Sequence, residues 1–221
     1  MKETSTKKLL LLSGLIIFLV LVIDQSSKYW VKTHMYLGED FAVAGKWFYI
    51  HFTENYGMAF GLEFGGSFGK IFLSVFRILA SLGIGWYIVH LARNGAHKGL
   101  IVCFSFILAG ALGNIIDSAF YGMIFSDSVN GIATLFPAEG AYGSFLHGRV
   151  VDMLYFPLFY GSFPQWVPFW GGEPFLFFRP IFNVADCSIT VGVFIYLLFH
   201  KQISGENKNE TSAPVTQEPT S

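Results

Sequence analysis

Ala109-Gly110-Ala111-Leu112-Gly113-Asn114-Ile115-Ile116-Asp117 ends an apolar segment that begins at Leu100 and stops on a carboxylate. The segment reads as a membrane span, and its alanines and glycines are the small residues that let helices approach closely in lipid. An ionisable side chain at the edge of such a run costs free energy unless it lines a cavity or finds a partner, so Asp117 is a candidate functional residue. A second aspartate, Asp186, opens the last apolar segment of the chain.

Working outward, composition agrees with a membrane protein. Hydrophobic residues make up 53% of the 221 residues and charged ones 13%, against roughly 25% charged in soluble domains. The formal charge of −1 argues against a nucleic-acid partner. Cys103 and Cys187 lie in different apolar segments and no C-x-x-C occurs, so neither a disulfide framework nor a zinc site is expected.

Residues 9–23, 71–92, 100–117 and 185–199 are expected to be four transmembrane helices, giving an all-α membrane protein of one domain, residues 1–203. The first run follows Lys2, Lys7 and Lys8 and resembles a signal peptide, but Asp24, Gln25 and Lys28 stand where a small-residue cleavage site belongs. Its fifteen residues rise only about 22 Å as helix, short of a roughly 30 Å hydrocarbon core. Residues 24–70 alternate polar and aromatic positions around Trp47–Phe52 and are expected to form a small outer-face β-sheet. Arg77, inside the second span, is read as snorkelling outward. Residues 118–184 read as a long aromatic-rich outer loop, in which Trp166, Trp170, Phe175, Phe177 and Phe178 anchor at the membrane interface. Residues 204–221 read as a disordered cytoplasmic tail.

Lysines and arginines near the span ends put both termini in the cytoplasm, although Lys28, Lys32, Lys46 and Lys70 dilute the asymmetry. The third span then runs outward to Asp117 and the fourth inward from Asp186, so both carboxylates lie at the outer boundary, level with Asp24. Two converging carboxylates share a proton, and such a pair can hydrolyse a peptide bond, one member activating water while the other protects the oxyanion. Paired intramembrane aspartates also serve proton- or ion-coupled transport, and an aspartate at a helix start can simply cap it. The residues of the pair alone leave all three readings open.

Five short blocks occur in order: Asp24-Gln25-Ser26-Ser27-Lys28, Asn55-Tyr56-Gly57-Met58-Ala59-Phe60-Gly61, Gly110 to Asp117, Val150-Val151-Asp152 and Phe182-Asn183-Val184-Ala185-Asp186. Together they resemble the motif blocks of lipoprotein signal peptidase, or signal peptidase II, over about residues 9–199. The resemblance implies an aspartic endopeptidase of the bacterial cytoplasmic (inner) membrane. Such an enzyme removes signal peptides from prolipoproteins carrying a diacylglyceryl cysteine, cutting before that cysteine on the outer face. It implies Asp117 and Asp186 as the catalytic pair, with Asn114 and Asn183 one turn before them. Asn55, Gly57, Asp24, Lys28 and Asp152 would bind substrate or support the site. No cofactor and no metal are expected, membrane lipid is a partner, and inhibition by globomycin follows from the same resemblance.

The chain departs from the family pattern at two places. Ser118 stands where the family has arginine after Asp117, which makes Arg149 the candidate replacement and Arg77 a weaker one. An inserted region, 123–148, separates Asp117 from Asp152.

Overall fold

The structure, a computed structural model, describes residues 2–55 and 66–204. Gly57 and the tail beyond Ser204 lie outside the described residues.

Helix α1 spans Lys2–His34, well beyond the expected 9–23. Its aliphatic half gives way to Asp24, Lys28 and Lys32, spaced four residues apart and so stacked on one helical face. All three are fully buried. The apolar run is therefore only the lipid-depth part of a helix whose upper turns carry a buried charged stripe. Gly38, at φ 84°, turns the chain out of the helix and donates its N–H to Phe52 O at 2.8 Å, a backbone conformation that favours glycine.

Strands β1 (Asp40–Ala44) and β2 (Phe48–Asn55) follow, then helices α2 (Gly66–Arg93) and α3 (Lys98–Ile116). The helix α3 runs on into a wider, π-type turn at Asp117–Tyr121, a distortion that recurs at functional sites. Strands β3 (Val150–Tyr155), β4 (Phe159–Ser162), β5 (Pro174–Phe177) and β6 (Ile181–Phe182) lead to the last helix, α4 (Val184–Ser204). Ser5–His34, Gly69–Arg93 and Lys98–Ile124 are long and apolar enough to cross a membrane, while Val184–Leu198 is a shorter apolar helix.

The sheet is larger than residues 24–70 suggest. It is antiparallel in the order β1-β2-β3-β6, so half of it comes from the region expected to be a loop. The residues Val150–Met153 are all buried, and a strand covered on both faces lacks the period-two pattern that betrays a surface strand. In register, Thr53 pairs with Asp152, Asn55 with Val150 and Leu154 with Phe182, with an irregularity between Ile50 and Thr53. Strands β4 and β5 form a separate hairpin.

Helices α3 and α4 pack antiparallel and almost backbone to backbone. A Cβ on Gly110 would stand 2.1 Å from Ala185 O, and one on Gly192 2.6 Å from Cys103 O; between these points Ser188 Oγ donates to Phe106 O at 2.7 Å. One apolar core joins Ile88, Leu91 and Ala92 of α2 to Ile101 and Leu108 of α3. A second joins Val31 and Met35 of α1 to Phe52, Val151 and Met153 of the sheet and to Tyr121, Phe125 and Ala133. Leu112 of α3 packs on the first of these cores and Ile116 on the second, so the Asn114–Asp117 segment follows the change from one to the other.

The inserted region 123–148 folds back on the π-type turn: Gly143 N donates to Gly122 O at 2.8 Å and Gly148 N to Ser118 O at 2.9 Å. A Cβ on Gly148 would stand 2.0 Å from Asp117 O, so the returning chain passes against the backbone of Asp117.

Candidate active site

Asp24, Asp117, Asp152 and Asp186 form two groups joined by one asparagine. In the first, the Lys28 ammonium lies 2.9 Å from Asp24 Oδ2 and 2.8 Å from Asp117 Oδ2, with all of these side chains fully buried. Its third hydrogen goes to Asn114 Oδ1 at 3.0 Å. Gln25 Nε2 donates to Asp24 Oδ2, Gly113 O and Asp117 Oδ1 at 3.0, 3.2 and 2.9 Å, and Val151 N approaches Asp117 Oδ2 at 3.4 Å. Asp24 Oδ1 accepts from Ala185 N at 2.8 Å. This group locks α1, α3, α4 and β3 together, and Gly113 is required because a Cβ there would stand 2.6 Å from Asp24 Oδ2.

The second group contains Asp152 and Asp186. Asn183 precedes α4 and makes a reciprocal cap with Asp186: Asp186 N donates to Asn183 Oδ1 at 3.0 Å, and Asn183 N donates to Asp186 Oδ2 at 3.2 Å. The Asn183 Nδ2 donates to Asp152 Oδ1 at 2.7 Å, and Asn55 Nδ2 donates to Asp152 Oδ2. One asparagine therefore holds both carboxylates. Asn114 spans the two groups, since Nδ2 donates to Asp186 Oδ1 at 2.8 Å while Oδ1 accepts from Lys28 and, at 3.2 Å, from Asn183.

Burial first, and then the neighbouring Asp186 carboxylate, push the Asp152 carboxyl up to about 7. Asp152 is 4% exposed, whereas Asp186 is half-buried. A carboxylic acid and a carboxylate held side by side, with one of them reachable, can activate a water molecule and protonate or stabilise what the water attacks.

A family model described as signal peptidase (SPase) II matches residues 16–201. The chain belongs to the signal peptidase II family. A lipoprotein signal peptidase of Porphyromonas gingivalis is 49% identical over 214 residues, covering 92% of this chain and 93% of its own. Another, of Amoebophilus asiaticus, is 39% identical over 196 residues, with 87% and 78% covered. A bacterial membrane enzyme solved by the in meso method at 2.3 Å resolution superposes with TM-score 0.57 at 25% identity, covering 92% of this chain and 93% of that one. The chain is thus a peptidase with a membrane-enzyme fold.

Against the motif blocks of signal peptidase II, the structure brings together Asp24, Lys28, Asn55, Asn114, Asp117, Asp152, Asn183 and Asp186. It does not pair Asp117 with Asp186. Asp117 faces Lys28 and Gln25, and the carboxylate sharing a partner with Asp186 is Asp152. Asn114 likewise serves Asp186 on the neighbouring helix rather than the aspartate one turn along its own.

Arg149 lies outside this centre. Its guanidinium pairs with Asp127 Oδ1 at 2.9 Å and Glu54 Oε2 at 3.2 Å and stacks 4.8 Å from the Tyr142 ring. Asp127 and Glu54 hold Arg149 well above its ordinary value, and Arg149 in turn pulls Asp127 down. Glu54 also takes the fully buried Lys32, which donates to Ser128 Oγ at 2.8 Å. Arg149 and Lys32 thereby tie the inserted region to β2 and α1. Ser118 is buried and donates to Asn114 O at 3.0 Å, so its side chain turns back onto its own helix. Arg77, on α2, is half-buried.

Gln25, Lys32 and Glu54 are absent from the sequence-based set. Lys32 carries a readable signal, as it continues the Asp24, Lys28 spacing by one more turn. Gln25 and Glu54 are legible only as neighbours of Asp24 and Asn55.

Proposed function

We propose that Asp152 and Asp186 carry the hydrolysis by which this signal peptidase II removes signal peptides from prolipoproteins. The observation that supports the pair is their common attachment to Asn183, together with the raised Asp152 carboxyl. Asp186, in the first turn of α4, takes a proton from the attacking water. Asp152 holds the shared proton and donates it toward the carbonyl oxygen. Asn55 and Asn183 orient Asp152, and Asn114 orients Asp186. Asp117, expected from sequence to be catalytic, instead serves with Asp24 as counter-ion to Lys28: full burial and occupied acceptors leave it no approach for substrate.

The substrate in this reading is a precursor whose cysteine already bears diacylglycerol, cut just before that cysteine in the inner membrane, with the site toward the outer face and both termini cytoplasmic. Globomycin would compete for the same site. The domain is residues 1–203, with α4 as a fourth span.

The test is cleavage of a diacylglyceryl-modified precursor by purified protein. Asp152→Asn and Asp186→Asn should each lower turnover by about 10²–10⁴-fold, the share a positioned acid or base supplies. Asp117→Asn should retain processing in whatever fraction folds. Unimpaired processing by Asp152→Asn, with none by folded Asp117→Asn, would return the dyad to Asp117 and Asp186.

A further inference from the structure

The β4–β5 hairpin is not used by the chemistry above. Its tip is the most exposed aromatic feature among the described residues, with Trp166 81%, Phe169 94% and Trp170 56% exposed. From Phe159 through Gly172 no residue is charged. Glu173, exposed where the tip rejoins β5, and Arg179 at the foot are the charged residues that flank it.

The tip is built rather than slack. Phe163 N donates to Glu173 O and Gly172 N to Phe163 O, both at 2.9 Å, and Val167 N donates to Pro164 O at 3.0 Å. Gly161 lies under the Phe175 ring, where a Cβ would stand 2.7 Å from the ring edge. Phe169 sits at φ 69°, a left-handed conformation that bulky residues rarely adopt. Holding an aromatic ring outward in a strained conformation is an arrangement that wants an occupant.

We infer that the hairpin is a membrane-dipping finger, whose Trp166, Phe169 and Trp170 seat in the headgroup and upper acyl region of the leaflet beside the sheet. The bilayer is the partner because of where the hairpin stands. The aliphatic half of α1 occupies the hydrocarbon, and Trp30 near its upper end packs edge-on against Phe41 of β1, which puts the sheet at headgroup level. An aromatic chain then runs along that sheet, Trp47 on Phe156, Phe156 on Phe182, and Phe182 on Phe178 at the hairpin foot. Tryptophan-rich, charge-free tips with few aliphatic residues suit the interface, where an amphipathic ring meets both headgroups and chains.

The experiment reconstitutes the full-length protein in phosphatidylcholine vesicles, with and without lipids brominated on the upper part of their acyl chains. It compares wild type with the Trp166→Phe/Trp170→Phe double variant. Their difference in emission isolates the two tip tryptophans from Trp30, Trp47 and Trp86. Expected is a blue-shifted difference spectrum, quenched at least twofold by the brominated lipid and little by aqueous acrylamide, with or without precursor. Quenching by acrylamide alone would overturn the inference in favour of a solvent-exposed hairpin. Protection that appears only when precursor is added would overturn it in favour of a lid over the active site. The two single variants give the same readings should the double variant fold poorly.

Discussion

In a pair of carboxylates the proton count decides the chemistry, and here the count is set at Asp152. Its carboxyl rises from 3.8 to about 7, chiefly through burial and then through Asp186. Below pH 7 the pair keeps the proton that the reaction uses, and above it the proton is lost. Processing of precursor should accordingly fall about tenfold per pH unit on the alkaline side, with an apparent midpoint near 7, measured as kcat/KM from pH 5 to 9. The same shift has a stability consequence whose sign is opposite to that of an ordinary ion-paired aspartate. The folded state holds a proton that the unfolded chain gives up, so the contribution is full below about pH 4 and disappears as pH rises through 7. Asp152→Asn should therefore melt at a higher temperature than wild type at pH 8, with the advantage shrinking steadily as pH falls toward 4. Thermal unfolding in detergent decides it. At this scale the sequence is legible in residue identity and much less so in pairing. Asp117, Asp152 and Asp186 all stand in motif blocks, but Asp117 ends the most conspicuous apolar run and Asp152 sits in a buried strand with no periodicity. Which aspartates meet depends on Lys28 reaching across from α1 and on Asn183 reaching across from just before α4, neither of which spacing along the chain reveals.

Among the elements, α3 is the helix to which the others are fitted, and its glycines carry the fit. Gly110→Ala would drive a methyl group into Ala185 O, which is backbone and cannot rotate away. The expected cost is about 1–3 kcal/mol or more, as for other overpacked contacts, read as a lowered melting temperature with loss of processing, because α4 carries Asp186 and is capped by Asn183. Gly83→Ala on α2 is the matched control, with nothing within 4 Å of the new methyl, and should be neutral or slightly stabilising. The small residues of α3 announce this close packing in the sequence, though not its partner. The inserted region is a second case. Arg149→Ala would remove the group shared by Asp127 and Glu54 and the stacking on Tyr142. The loss should be roughly 1–3 kcal/mol, below the 3–5 of a fully buried pair, since the Asp127 side chain is 34% open to solvent. Faster amide exchange across 123–148, with α3 and α4 unaffected, is the expected readout; uniform loosening of all helices would contradict a local latch. Arg149 thus latches the inserted region onto β2 through Asp127 and Glu54, away from Ser118 and the aspartates around it.

For the whole molecule the open quantity is which side of the membrane holds the site, and the structure sharpens the charge count on which that turns. Lys28 and Lys32 belong to α1 and are consumed in buried ion pairs, and Lys70 belongs to α2 and donates to His147 O at 2.6 Å. Three of the four lysines that blur the asymmetry in the sequence are therefore not free loop charges, and the basic residues Lys7, Lys8, Arg93, Lys98 and Lys201 gain weight in setting orientation. The apolar part of α4, Val184–Leu198, is about 22 Å of helix, short for a roughly 30 Å core. Yet its contacts run from Ala185 on Gly110 down to Gly192 on Cys103, so it descends antiparallel to α3 and must return toward the side from which α3 started. With Cys103 and Cys187 replaced by serine, single cysteines introduced as Asn94→Cys and Asn209→Cys should react with an impermeant maleimide only after lysis. Phe145→Cys should react on intact spheroplasts, Phe145 being 53% exposed in the inserted region. Labelling of Asn94→Cys and Asn209→Cys on opposite sides would remove α4 as a span. The full pattern inverted would turn the active site to the cytoplasm and overturn an outward-facing site.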